Sequence, residues 1–406
     1  VSPNKSWKEL STMADIALVA GVGMTAFSTP SKGESYIEVA PRAIRDAIAD
    51  AGLDYCDIEE AYAGYVYGDS TAGQYALYQV GMTGIPVVNV NNNCSTGSSA
   101  LYLANQAVSS GRVDCALAFG FEQMSPGAIG SIFTDRPSPL SHFDMVGETI
   151  QGAFPDKVPA AVLFGGAGIE HMEKYGTRPE TFAKISVKAR RHAEFNERAV
   201  FRSLLTIEEV LEAPEVFGPL TRFQCCPPTT GAAAALVVSE EFARKRGLNR
   251  LVAIRGQAMT TDTPSSFEDE SMMKLVGSDM TKAAANMVYE QAGIGPEDVD
   301  VAELHDCFTA NELITYEGLG FAAEGEAERF ILDDQNTYGG AVVTNPSGGL
   351  LSKGHPLGAT GLAQCAELTW QLRGEAGRRQ VDGAKVALQH NLGLGGACVV
   401  TLYGPA

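Results

Sequence analysis

The stretch PVVNVNNNCSTGSSALYLANQAVSSGRVDCALAFG, residues 86–120, decides the fold. Residues 86–90 form a short apolar run of β character. NNNCSTGSS then breaks every regular pattern, residues 100–109 carry apolar side chains at helical spacing, and residues 113–120 read as strand again. Strand, turn, helix, strand in that order predicts a parallel or mixed sheet covered by helices, with reactive groups where strand C-termini meet helix N-termini. The turn holds a cysteine, Cys94. At the N-terminus of a helix a thiolate gains from the dipole and from free backbone N–H groups, so a lowered pKa and a nucleophilic sulfur are expected there.

On the N-terminal side, residues 1–13 are polar and irregular and read as a tail. A first strand is predicted at 16–21, an amphipathic helix at 36–51 ending before Gly52, and a strand at 61–67. On the C-terminal side, residues 122–227 depart from this order, with Pro126, Pro137 and Pro139 and then a basic stretch, FAKISVKARRHAEFNER, at 182–198. Its cations make either a solvated helix face or an anion site. Strands at 231–239 and 251–258, a helix at 280–293, a strand at 299–304, a helix at 362–373 and a strand at 384–389 complete the pattern. The second half repeats the β-turn-α-β logic of the first, as an internal duplication would, and both sets of turns would face one cleft. The expected organisation is an N-terminal half at 14–121 and 228–257, an inserted domain at 122–227, and a C-terminal half at 258–406.

Composition narrows the function. Thirty Lys plus Arg stand against 49 Asp plus Glu, a net charge of −19, which repels nucleic acid and anionic lipid. The longest apolar run, residues 232–238, has seven residues, whereas a membrane helix needs about 20. Without a signal-peptide pattern, a cytoplasmic protein with no membrane span is expected. Eight cysteines in 406 residues show no disulfide framework. Glycine is abundant, 44 residues, and clusters late in the chain around polar motifs.

Those motifs supply further candidates. His355 lies in GHPLGATG, 354–361, where small neighbours admit a ligand and the imidazole can deprotonate a thiol or donate to an oxyanion. LHDCF, 304–308, follows a predicted strand, and at a period of two His305 and Cys307 would face one side. Zinc is the rival reading. It needs three or four ligands, no C-x-x-C or H-x-x-x-H is present, and the adjacent Cys225 and Cys226 do not converge on one ion, so no metal is expected. NLGLGG, 391–396, is a glycine-rich turn whose N–H groups suit an oxyanion; no helix follows it, which excludes a dinucleotide fingerprint.

NNNCSTG, HDCF, GHPLGATG and NLGLGG, in this order, resemble the thiolase superfamily and most closely its SCP2-thiolase branch, over the chain from residue 14 onward. The resemblance implies an α/β thiolase fold, two βαβαβαββ halves in a five-layered αβαβα core with an inserted loop domain. It implies thiolytic cleavage of a 3-oxoacyl-CoA, branched or sterol-derived, with acyl-CoA and CoA as substrates and no resident cofactor. Cys94 would be the nucleophile and His355 its base. Most members carry N-E-A-F where this chain has HDCF, and a C-x-G cysteine where it has Asn391; that departure hands the acid/base role to Cys307 and leaves the oxyanion N–H to Gly393. A second hole would come from His305 and His355. Lys184, Lys188, Arg190 and Arg191 of the basic stretch, with Ser347 and Gly348, would contact CoA, and a homodimer or homotetramer is implied. Decarboxylating condensing enzymes are disfavoured by the extra thiol, and retro-aldolase homologues, which lack the nucleophile, by Cys94. A lipid or acyl-CoA carrier has no use for two thiols and two histidines, and as the last predicted strand runs to Ala406 no appended carrier domain is expected.

Overall fold

The computed structural model describes residues 16–125, 133 and 135–406, so the tail assigned to residues 1–13 and Pro126 lie outside the described residues. Its strands are β1 (Ala17–Met24), β2 (Glu60–Gly64), β3 (Val87–Val90), β4 (Cys115–Gln123), β5 (Glu215–Phe217), β6 (Leu220–Thr221), β7 (Thr230–Ser239), β8 (Val252–Thr260), β9 (Val301–Glu303), β10 (Val343–Thr344), β11 (Ala387–Gly393) and β12 (Ala397–Pro405). The principal helices are α1 (Tyr36–Ala51), α2 (Ala72–Tyr78), α3 (Thr96–Ser109), α4 (Ser141–Gln151), α5 (Pro159–Tyr175), α6 (Pro179–Ala193), α7 (Ser278–Ala292), α8 (Thr309–Gly318) and α9 (Leu357–Arg373).

Hydrogen bonding orders the main strands β10-β9-β11-β12-β8-β1-β7-β4-β2-β3. Outward from β1 the pairings run antiparallel to β7, antiparallel to β4, parallel to β2 and parallel to β3. Outward from β8 they run antiparallel to β12, antiparallel to β11, parallel to β9 and parallel to β10. The two halves are therefore copies of one topology, joined where Leu18 and Val19 of β1 meet Ala253 and Val252 of β8. This corrects the expected boundary. Residues 251–257 belong to the C-terminal half, because β8 pairs with β12 along its length and with β1 only at that seam.

Alternation along each strand builds three cores. In β7, Ala233, Ala235 and Val237 face a central core shared by both halves, while Ala232, Ala234, Leu236 and Val238 face an outer core under α1. In β12, Tyr403 points inward, and Cys398, Val400 and Leu402 pack outward towards α7. α3 and α9 fill the central layer through Leu101, Ala104, Leu362 and Ala366. Helix, sheet, helix, sheet, helix follows from this alternation, since each sheet must bury both faces.

The central helices sit unusually close to the sheet. A Cβ on Gly358 would lie 2.4 Å from the carbonyl of Phe121 and 2.5 Å from that of Gly64. This is why α9 begins at Leu357, five residues before its expected start: the GATG segment is weak helix by propensity but is the only kind of surface that fits there. The inserted segment contributes α4, α5, α6 and the small β5–β6 hairpin before β7 re-enters the sheet. Among the described residues no helix is long and apolar enough to cross a membrane.

Candidate active site

Cys94 sits on the elbow between β3 and α3. Asn93 adopts a left-handed φ of 52°, a conformation asparagine tolerates better than most residues. Local hydrogen bonds hold it there. Thr96 Oγ1 accepts from the Asn92 amide at 2.8 Å and donates to the Asn93 carbonyl at 2.6 Å, and Ser95 Oγ donates to the Asn92 carbonyl at 2.9 Å. Asn93 Nδ2 reaches across the molecule to the Leu394 carbonyl at 2.9 Å, tying the elbow to the 391–396 turn. Gly393 lies against the same elbow, where a Cβ would come within 2.2 Å of Asn92 O and 3.0 Å of Ser95 N.

Two histidines from the other half complete the cluster. One ligand atom each of Cys94, His305 and His355 lies within 4.8 Å of the other two, and the two rings are edge to face with centroids 5.1 Å apart. These three atoms have the composition of a Cys-His-His metal site, although the sequence offers no ligand spacing that would announce it. His355 Nδ1 contacts Thr360 Oγ1 at 2.7 Å, and its Nε2 has no hydrogen-bond partner among the described residues. His305 Nδ1 receives a hydrogen bond from Asn391 Nδ2 at 3.0 Å. Glu303, two residues before His305, pairs with Lys353, two residues before His355, at 2.9 Å in a fully buried contact that clamps the two histidine loops together.

Electrostatics correct one expectation. Burial pushes the Cys94 thiol up to about 12, and the buried Glu122 carboxylate adds to the rise. The residue as a whole is only half-buried, but its surroundings are dense. A helix N-terminus gives an anion about 0.3–2 kcal/mol, less than desolvating an unpaired thiolate costs. Burial likewise brings His355 down to about 3, helped by Lys353, and holds His305 well below the usual imidazole range, with His355 and His390 adding to the effect. At neutral pH the cluster is a thiol with two neutral imidazoles. Glu122 itself accepts from the amides of Val66, Tyr67 and Gly358, yet desolvation still raises it to about 7.

Cys307 is buried beside the cluster, and burial, then Cys226 and Cys94, drive its thiol well above the ordinary range. Its approach differs from the one expected. β9 stops at Glu303, so His305 and Cys307 share no strand face; the loop after it turns both towards Cys94. Cys226 was missed altogether as a neighbour. Its amide donates to the Cys307 carbonyl at 2.9 Å, with Cys225 paired opposite Phe308, and burial pushes its thiol well above the ordinary range, with Cys94 adding to the rise. Only a vicinal pair just ahead of β7 hinted at it.

The expected CoA contacts are dispersed. Lys188 is buried in an ion pair with Glu312 and also donates to Tyr316 and Thr344, so it joins α6 to α8 rather than facing a cavity. Lys184 pairs with Asp334 at 2.9 Å and donates to the Leu332 carbonyl. Ser347 is spent on Glu303, donating its amide at 3.1 Å and its hydroxyl at 2.8 Å, and Gly348 is buried against Ala193. Arg190 is buried against Phe201 and Phe223, and burial brings its guanidinium down to about 10. Arg191 is exposed and lines a cavity of about 240 Å³ with Phe195, Tyr338 and Arg378.

The thiolase N-terminal domain family matches residues 17–241, and the thiolase C-terminal domain-like family matches residues 262–402. Sterol carrier protein 2 of Rattus norvegicus is 55% identical over 391 residues, covering 95% of this chain and 71% of the relative. An acetyl-CoA acetyltransferase of Methanothermobacter thermautotrophicus is 34% identical, covering 96% of this chain and all of the relative. Among solved structures, an Ltp2-ChsH2(DUF35) aldolase superposes with a TM-score of 0.81 at 25% identity, covering 97% of this chain and 98% of the other. Both halves, with the cysteine elbow of one facing the histidine loops of the other, match in sequence as well as in shape, and the chain belongs to the thiolase family.

Proposed function

We propose that this protein cleaves a 3-oxoacyl-CoA by thiolysis through an acyl-enzyme on Cys94. The observation that carries the reading is the meeting of Cys94, His305 and His355 within 4.8 Å beside a second buried thiol, Cys307. His355 Nε2, which has no other partner among the described residues, takes the Cys94 proton as sulfur attacks the 3-keto carbon. The Cα–Cβ bond then breaks, the acyl group stays on Cys94, and the electron pair passes to the departing acetyl-CoA or propionyl-CoA enolate. Cys307 S–H protonates that carbon. Its thiolate next takes the proton of incoming CoA, the CoA sulfur attacks the Cys94 thioester, and His355 returns its proton to Cys94. The enolate oxygen is held by His305 and His355, and the tetrahedral oxyanions by the N–H groups of Cys94 and Gly393. A neutral thiol and a neutral imidazole suit this sequence, because charge develops only when substrate is present. The likeness to sterol carrier protein 2 supports a sterol-derived acyl chain, and a branched one is the companion expectation of the resemblance. CoA enters as substrate; Arg191, exposed at the cavity, remains the basic-stretch candidate for its phosphates. The reading assigns the cluster to acyl transfer, with no metal.

Retro-aldol cleavage has the aldolase likeness behind it. That reaction forms no acyl adduct and needs no acyl acceptor, whereas Cys94 stands on a dedicated elbow. The test is mass spectrometry of the protein mixed with a 3-oxoacyl-CoA, without and with CoA: an acyl adduct mapped to Cys94, discharged by CoA, is expected. No adduct from the 3-oxoacyl-CoA, together with cleavage of a 3-hydroxyacyl-CoA to a carbonyl compound and a shorter acyl-CoA, would transfer the assignment to aldol chemistry. For Cys307→Ala we expect at least a hundredfold loss of 3-oxoacyl-CoA turnover, with Cys94 still acylated by a simple acyl-CoA. Full turnover in that variant removes Cys307 from its acid/base role.

The homodimer belongs to the same reading. β3 is an edge strand with Val88 exposed, and Tyr75, Tyr78 and Met82 are exposed nearby. An open apolar edge invites a second strand, and β3 leads directly into the Cys94 elbow. A second copy laid along β3 would brace that elbow. Val88→Asp together with Met82→Asp is expected to give monomers by sedimentation and to lower turnover; a wild-type chain that sediments as a monomer at assay concentration rejects the dimer.

A further inference from the structure

His305 and His355 sit side by side, both neutral, yet their partners require opposite tautomers. Asn391 Nδ2 lies 3.1 Å from the Cys94 carbonyl, which can only accept, so that end of the amide is fixed as the NH₂ group. Ser98 Oγ donates to Asn391 Oδ1 at 2.8 Å and itself receives Gln389 Nε2 at 2.7 Å, and Tyr403 OH donates to Gln389 Oε1. Each member of this chain is fully buried, so none can trade its partner for water. The second N–H of Asn391 therefore points at His305 Nδ1, which must offer a lone pair, and the proton of His305 resides on Nε2. His355 is the reverse. Thr360 donates its hydroxyl hydrogen to the Pro356 carbonyl at 3.1 Å and so accepts from His355 Nδ1–H, leaving Nε2 as a bare lone pair.

We infer that Asn391 is a positioning residue that fixes His305 as a permanent hydrogen-bond donor, so that only His355 of the pair can act as base. The catalytic consequence rests on the thiolytic reading: His305 Nε2–H is held ready for the enolate oxygen and does not compete for the Cys94 proton. The fold makes room for this arrangement at Gly361, where a Cβ would lie 2.1 Å from Ser98 Oγ and 2.7 Å from Asn391 Oδ1.

Neutron crystallography of the wild-type protein tests the tautomers directly. Deuterium is expected on Nε2 of His305 and on Nδ1 of His355; deuterium on Nδ1 of His305 overturns the proposal whatever the reaction proves to be. Kinetics test the consequence in Asn391→Ala and Asn391→Asp. A lost oxyanion donor costs about 10²–10³ in kcat, so cleavage of a 3-oxoacyl-CoA should fall by that factor with KM little changed. Acyl exchange between Cys94 and a simple acyl-CoA, which uses backbone donors, should fall less than tenfold. Parallel loss of both reactions means that Asn391 merely holds the elbow through the Cys94 carbonyl, and loss of neither means that it does nothing to His305; either result overturns the assignment. If wild type cleaves no 3-oxoacyl-CoA, the thiolytic reading fails while the neutron result still decides the tautomers.

Discussion

Cys94→Ala is expected to fold normally and to lose thiolysis by about 10⁴-fold or more, the scale on which removal of a covalent nucleophile acts. Folding should survive because the sulfur contributes little to packing: the residue is half-buried, and its hydrogen-bond contact is a 3.9 Å approach to Asn93 Oδ1. The elbow is held by Ser95, Thr96 and Asn93, which the substitution leaves in place. Turnover is measured with a 3-oxoacyl-CoA and CoA, and the adduct is located by peptide mapping. Near-normal turnover, or an adduct that moves to Cys226 or Cys307 with activity retained, would remove Cys94 from the centre of the mechanism.

The largest effect on stability should come from the clamp between the histidine loops. Lys353 and Glu303 are both almost completely buried, and among the described residues the carboxylate accepts, besides the lysine, only from Ser347. Lys353→Met leaves that carboxylate without its counter-charge, which typically costs about 3–5 kcal/mol. Urea unfolding should show a midpoint displaced accordingly. The double variant Lys353→Met with Glu303→Gln should recover much of the loss, because neither member of the pair is then charged. A single variant within about 1 kcal/mol of wild type would show that the pair does not hold the loops. Since Lys353 also presses the His355 pKa down, surviving activity in the single variant should tolerate less acid before His355 protonates.

Sheet and helices were largely legible in the sequence, since the alternation in residues 231–239 and the helical spacing in 36–51 are local patterns that packing merely used. Misplaced edges have tertiary causes. The GATG segment is helical against its propensity because it packs on the sheet, where Gly358 lies on the Phe121 and Gly64 carbonyls with no room for a Cβ, and residues 252–257 join the second half because of pairing with a strand some 150 residues away. Cys94 in its Asn- and Ser-rich turn and the glycine-flanked His355 stand out from their neighbours, whereas Cys226 does not, since nothing local reveals that it will lie opposite Cys307. The charge state was misjudged for the same reason: a helix N-terminus is visible in sequence, and the burial that overrides it is not. Lys188 looked like one cation of a basic face, yet its partner Glu312 lies 124 residues further on.

The span between the elbow and its counterpart bears on how the protein is made. Cys94 leaves the ribosome 297 residues before Asn391, about 15–60 s earlier at common rates of synthesis. Throughout that interval the cysteine lacks the His355 base and the Gly393 N–H, and can react only as an ordinary exposed thiol does. The assembled site exists only once residues 387–393 dock beside the first half, so assisted acyl transfer begins with the complete fold and not with the elbow alone.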